Sequence, residues 1–307
     1  MSKRNMTAGM IVALAGIVIA TAAPRRAAPA ARRPAIVVTY SILGSVVSDL
    51  AGDRFDVAVA IPNGMDPHEW EPSARDVERL TRADLVVANG LDLEGGMQKA
   101  LEQAKRSGVK FFTAADHITV RRVGRDEGIP SGDPDQAIGA PDPHLWMDPI
   151  TMKSVVRALA IEIQNDFGVD LSARAADLER RLDALDAEIR AKVAVIPSTR
   201  RELVTGHESM GYFAQRYGFR LVGAVVPSLS SQAETSAADL ADLKAVIARE
   251  RVPVLFTELG TPPQVVNALA RETGVRCVTL RAHALPANGS YFTFMRNLAD
   301  TIAGALK

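Results

Sequence analysis

From Ala35 onward the chain alternates two hydrophobic periodicities. Short β-branched runs at Ile36–Thr39, Phe55–Ile61, Leu85–Ala88 and Lys110–Thr113 predict strands. Between them, stretches such as Ser73–Arg82 and Gly96–Ser107 read as helices, with Ser73 after Pro72 as an N-cap. Strand–helix alternation of this kind predicts a parallel sheet covered by helices. Leu178, Leu182, Leu185, Ile189 and Val193 then recur at threes and fours, predicting a long helix capped by Ser172 and ended by Pro197. About 24 residues at ~1.5 Å each span roughly 36 Å, enough to run along two lobes and tie them together. The alternation resumes with strands at Glu202–Thr205, Arg220–Val226, Val254–Thr257 and Arg276–Leu280. Helices at about 209–217, 236–250, 262–273 and 290–306 fill the gaps. The expected class is α/β, with two units of about four strands each.

Composition adds little to this plan. At 307 residues, 47% apolar and 23% charged, the chain has material for two domains. Its 36 basic and 36 acidic residues cancel, so no concentrated basic face points to a nucleic-acid partner.

The amino terminus says more. Lys3 and Arg4 precede an apolar run from Met10 to Ala20, and Ala20-Thr21-Ala22 offers a small-x-small cleavage site. This is the anatomy of a secretory signal peptide over 1–22, too short in its apolar part for the ~20 residues of a membrane span. Residues 23–34, rich in Ala, Pro and Arg, read as a disordered leader. The domain plan is then 35–170, a linking helix over 171–197, and 198–307, with residues 124–143 as a mobile loop. Cys277 is the single cysteine, so there is no intramolecular disulfide and no thiol near the cleavage site for a lipid anchor. Its setting reads as a buried strand, which makes it a small core side chain.

Candidate chemistry rests on histidine. Four of the five, His68, His144, His207 and His283, stand 76, 63 and 76 residues apart. Two occupy near-repeats, Asp66-Pro67-His68-Glu69-Trp70 and Asp142-Pro143-His144-Leu145-Trp146. Three follow predicted strands, where open α/β sheets bind ligands. Four neutral imidazoles suit a tetrahedral Zn²⁺, whereas Mn²⁺ prefers oxygen. A lone His is more often a surface or packing residue; repeated context and strand-end placement lift His68, His144 and His207 above that. His283 has weaker local context, and His117, on an exposed turn, falls outside the site. Asp66, Asp142 and Asp148 are placed to accept hydrogen bonds from ligand imidazoles, or else to cap turns beside proline. Glu258 is a reserve ligand, and Glu208 reads as solvated.

Four segments carry a resemblance. They are Asn63-Gly64-Met65-Asp66-Pro67-His68-Glu69-Trp70-Glu71-Pro72 and Val87-Ala88-Asn89-Gly90-Leu91-Asp92-Leu93-Glu94. Asp142-Pro143-His144-Leu145-Trp146-Met147-Asp148-Pro149 and Gly206-His207-Glu208-Ser209-Met210-Gly211-Tyr212-Phe213 complete the set. From about Ala35 to its end the chain resembles the cluster A-I (cluster 9) metal-binding solute-binding proteins of ABC transporters, the zinc and manganese receptors. The resemblance implies two Rossmann-like lobes, each a parallel sheet flanked by helices, joined by one rigid helix with the metal in the interlobe cleft. His68 and His144 match the family's first two ligands. His207 falls where zinc members show His and manganese members usually show Glu, and His283 falls where the family usually shows Asp.

Residues 124–140 lack the His-rich stretch that zinc members often carry. The implied function is a monomeric periplasmic receptor that delivers Zn²⁺, or alternatively Mn²⁺ or iron, to a membrane permease. No GxxxxGK[ST] loop is present, so ATP hydrolysis belongs to a separate ATPase subunit. The rival readings are a zinc-dependent hydrolase, for which no HExxH motif supplies a base, and a metal-binding adhesin.

Overall fold

The computed structural model describes residues 32–125, 127–128, 137–287 and 289–307. The expected signal peptide, most of the leader and the middle of the 124–143 loop lie outside the described residues.

Two stretches of chain repeat the same strand–helix order and build the same sheet twice. In the first, β1 (Ala35–Tyr40), α1 (Ser41–Ala51), β2 (Asp56–Ile61), α2 (Ala74–Thr81), β3 (Leu85–Ala88), α3 (Gln98–Arg106) and β4 (Lys110–Thr113) give a parallel sheet ordered β2-β1-β3-β4. Two helices follow, α4 (Pro149–Phe167) and α5 (Ser172–Ala194). The second unit runs β5 (Glu202–His207), α6 (Gly211–Tyr217), β6 (Arg220–Val226), α7 (Ala237–Glu250), β7 (Val254–Thr257), α8 (Pro263–Thr273) and β8 (Arg276–Thr279), ordered β6-β5-β7-β8. The closing helix is α9 (Tyr291–Leu306). In each sheet the strand order reverses beside the first strand, and the crevice beyond the carboxyl ends at such a switch point is where α/β folds bind ligands.

The caps follow the sequence closely in places. Ser73 and Ser236 each cap their helix through a reciprocal bond with an Asp three residues on. Ser172, expected as the cap of α5, is instead its first residue; the Asp170 carboxylate accepts its N–H at 2.8 Å. The pattern reading does not single out α1, which leaves β1 directly at Tyr40 with no capping side chain.

One hydrophobic core joins the two sheets. It runs from Val37 and Leu85 of the first through Leu178, Leu182, Leu185 and Ile189 of α5 to Leu203 and Phe256 of the second. A smaller core under α7 and α8 covers the far face of the second sheet with Val204, Leu243, Ile247 and Leu269. The predicted α5 stripe is buried throughout, packing against α4, α1 and α9. Although α9 is last in the chain, it too packs on α1 and α5.

Three local expectations are revised. Cys277 is exposed rather than a core side chain, because β8 is an edge strand. The folded body begins before Ala35, since Arg33 pairs with Asp56 at 2.7 Å and Pro34 O accepts from Asp56 N at 3.0 Å. The ends of the 124–143 loop are tied, with Arg122 bridged antiparallel to Pro141 and Val123 N donating to Ala140 O at 2.9 Å.

Candidate metal centre

The two Asp-Pro-His segments fold as the same local device. In each, the Asp side chain accepts the backbone N–H of the His two residues on, at 3.0 Å for Asp66–His68 and 2.9 Å for Asp142–His144. Such an Asx turn uses a short carboxylate to fix the backbone beside proline. The first turn lies in the loop after β2. The second leads through a single 3-10 turn, Leu145–Met147, into α4. His207 is the last residue of β5, and His283 lies in the loop after β8.

These placements bring the four rings together and leave His117 outside, exposed and stacked on Phe112. One nitrogen from each of the four rings lies within 4.8 Å of the other three, and all four residues are buried. His144 Nε2 is 3.3 Å from His68 Nε2 and 3.2 Å from His207 Nε2. A tetrahedral Zn²⁺ with Zn–N near 2.0–2.1 Å has N···N edges of about 3.3–3.4 Å, so these separations fit one ion. Facing imidazole lone pairs repel at this distance unless a cation or a shared proton lies between them. His283 stacks on His207 with centroids 5.2 Å apart, and neither of its ring nitrogens has a hydrogen-bond partner among the described residues.

Carboxylates surround the cluster and offset its charge. Asp142 Oδ1 lies 2.8 Å from His144 Nδ1, which makes Nδ1 the protonated nitrogen and turns the Nε2 lone pair inward. Its other oxygen accepts from the Arg121 guanidinium at 2.9 Å, and Arg121 also grips Glu127. The sequence carries no signal for Arg121, which reaches Asp142 only through the tied loop ends. Glu258 just follows β7. It sits 3.0 Å from His207 Nδ1, off the ring N–H direction and so acting as a charge contact, and 3.7 Å from His283 Nδ1. It also accepts the His207 backbone N–H at 2.9 Å and the Ser209 hydroxyl at 2.8 Å. The expected reserve ligand is therefore outside the four-donor group and stands behind two of its rings. Gly206 allows this approach, because a Cβ there would fall 2.7 Å from Glu258 Cγ and 3.2 Å from its backbone nitrogen.

Three other expectations are corrected. Asp148 touches no imidazole: it caps α4 through Ile150 N at 2.8 Å and Thr151 Oγ1 at 3.1 Å, and pairs with Arg216 at 3.3 Å. Glu208 is buried rather than solvated, its Oε1 without a hydrogen-bond partner among the described residues, because it directly follows the buried end of β5 and its N–H donates to Ser228 O. Asp66 binds its own turn rather than an imidazole; its Oδ2 has no hydrogen-bond partner among the described residues and faces the second half at Gly260.

The titration behaviour follows from burial and these partners. Burial, reinforced by the neighbouring rings, holds His68 and His144 well below the ordinary histidine value. At His207 burial is the largest influence and lowers the value, but the contact with Glu258 together with the charges of Glu258, Asp66 and Glu208 outweighs it and the net shift is upward. His283 is lowered by burial, partly offset by Glu258. Burial raises Asp142 to about 6 against the pull of Arg121, and raises Glu208 to about 7. For Glu258 burial acts upward, yet His207 and His283 together bring it down to about 2. A cavity of about 150 Å³ lies against His68, between Leu91, Asp92, Pro141, Pro143 and Leu229.

In sequence and in fold the chain is similar to known proteins. Residues 36–305 match the family model described as "ZnuA: Zinc-uptake complex component A periplasmic". The chain is 29% identical over 276 residues to the zinc-binding protein TroA of Treponema pallidum, covering 89% of this chain and 83% of that one. It is 26% identical over 305 residues to the manganese ABC transporter substrate-binding lipoprotein PsaA of Streptococcus mitis, covering 94% of each. The solved structure of the periplasmic TroA from Treponema pallidum superposes with a TM-score of 0.77, at 29% identity, over 89% of this chain and 99% of that one. The paired four-stranded sheets, the helices flanking them and a match over nearly the whole folded body lead to one assignment: the chain belongs to the ZnuA/TroA family of metal-binding solute-binding proteins of ABC transporters, receptors rather than enzymes.

Proposed function

We propose that this receptor captures Zn²⁺ outside the cytoplasm through His68, His144, His207 and His283, and delivers it for uptake. The observation that carries the reading is the donor set: four imidazole nitrogens within 4.8 Å of one another, with no carboxylate among them. Nitrogen donors in a small closed group suit Zn²⁺, while Mn²⁺ is better served by oxygen. The nearest carboxylates, Asp142 and Glu258, lie behind the rings, where they compensate a dication that neutral ligands leave fully charged. Relatives bear both names, zinc for TroA and manganese for PsaA, so the choice of metal rests on these donors.

Solute-binding proteins of ABC transporters work with a membrane permease and an ATPase, and this chain fits the receptor part. Export is supported by the signal-peptide pattern over 1–22, ahead of a domain starting near Arg33. Among the described residues no helix is long and apolar enough to cross a membrane. The test is elemental analysis of protein purified without chelator, followed by competition between Zn²⁺ and Mn²⁺. Bound zinc that manganese does not displace is the expected result; preferential manganese retention would overturn the metal assignment.

A further inference from the structure

The loop carrying His283 is moored to the amino-terminal half of the molecule rather than to the sheet it leaves. Leu280 N still donates to Thr257 O of the second sheet, at 2.7 Å. Beyond it, Ala282 O accepts the Trp146 indole N–H at 3.2 Å, a buried bond. Leu285 is held on both sides by one side chain: Asn63 Nδ2 donates to Leu285 O at 3.0 Å, and Leu285 N donates to Asn63 Oδ1 at 2.8 Å. Ser41 Oγ donates to the same Asn63 oxygen at 2.9 Å. Further on, Tyr291 N donates to Ser45 Oγ at 2.9 Å, and its hydroxyl donates to Trp146 O at 2.8 Å.

A carboxamide pairing both backbone groups of one residue acts as a neighbouring strand would, fixing position and direction together. His283 lies between the moorings at Ala282 and Leu285. Its ring nitrogens have no hydrogen-bond partner among the described residues, so its place is set by the backbone, by stacking on His207, by the edge contact with Trp146 and by the Glu258 charge 3.7 Å away.

We infer that Asn63 is a positioning residue for His283, latching its loop to the half that carries His68 and His144. Three donors then move as one body, and His207 is the donor belonging to the second sheet. Asn63 itself is exposed, so the latch can open without disturbing the core.

The inference rests on the four-histidine reading, and the experiment separates the two. Zinc affinity is measured by chelator competition for the wild type, Asn63→Ala, His283→Ala and the double variant. Asn63→Ala should weaken zinc about tenfold, the scale of two partly exposed hydrogen bonds. In the His283→Ala background the same change should cost less than about twofold, since the residue it positions is gone. Asn63→Asp, which keeps an acceptor for Leu285 N–H, should fall between; should Asn63→Ala not fold, the cycle is read with Asn63→Asp. Full affinity in the Asn63 variant, or equal losses in both backgrounds, would overturn the latch alone. Full affinity in His283→Ala would overturn the four-histidine site and the latch with it.

Discussion

Asp142 Oδ1 lies 2.8 Å from His144 Nδ1, and this contact decides which nitrogen of the ring faces the other three histidines. The same carboxylate is neutralised from behind by Arg121. Asp142→Asn keeps an acceptor for Nδ1 but removes the charge. Zinc affinity should fall about 10- to 100-fold, the usual effect of losing an outer carboxylate. Chelator competition measures it, and an unchanged affinity would show that the contact does not tune the ring.

Arg121 should matter for stability as well. Its guanidinium is almost fully buried and pairs with both Asp142 and Glu127. Arg121→Met leaves the Asp142 carboxylate buried without its cation, a change that costs about 3–5 kcal/mol. Thermal and denaturant unfolding of the metal-free protein read this directly; a loss under about 1 kcal/mol would mean that water or rearrangement replaces the pair.

Metal binding should release about one proton per ion from the imidazoles at pH 6.5. Imidazole binds metal only when neutral. His68 and His144 are held well below the ordinary histidine value and are already neutral at pH 6.5, whereas His207, lowered by burial but raised on balance by Glu258, Asp66 and Glu208, is the ring that still carries its proton at that pH. Affinity should therefore fall as pH drops through the raised value of His207, and level off above it. Calorimetry in buffers of different ionisation enthalpy counts the protons, and a count near zero at pH 6.5 would contradict the assignment.

Gly206 is predicted to be intolerant of a side chain. Gly206→Ala places a Cβ against Glu258 and Thr261 Oγ1, so the Glu258 carboxylate has to leave His207. Overpacking of this kind costs about 1–3 kcal/mol, and zinc affinity should fall in parallel. A melting temperature and affinity equal to wild type would show that the β7 loop yields without cost.

Leu182, fully buried on α5, tests the shared core. Leu182→Ala should destabilise by about 2–5 kcal/mol while leaving the zinc-site residues in place. Differential scanning calorimetry should show one transition moved down as a unit. Two separated transitions would show that the halves unfold independently.

Much of this was legible in the chain because it is local. Strand positions follow from β-branched runs bounded by turns, and the α5 stripe from spacings of three and four. The Asp-Pro-His turns are written within a few residues, because the carboxylate reaches only the backbone N–H two positions on. The positions of His68, His144 and His207 near strand ends or motif turns could be read in advance for the same reason.

The remaining features depend on residues far apart in sequence. Arg121 meets Asp142, Glu258 meets His207, and Asn63 meets Leu285, with no periodic pattern linking the members of any pair. Whether Glu208 faces water or the interior depended on what covers β5, and Asp148 was drawn to the α4 terminus by unpaired N–H groups there. The sequence by itself determined the elements, their order and the turns that present imidazoles, since backbone sterics and side-chain period act over a few residues. Only the tertiary structure decided which charges lie behind each ring and which half holds His283, because burial and partner distance exist only once the two sheets share a core.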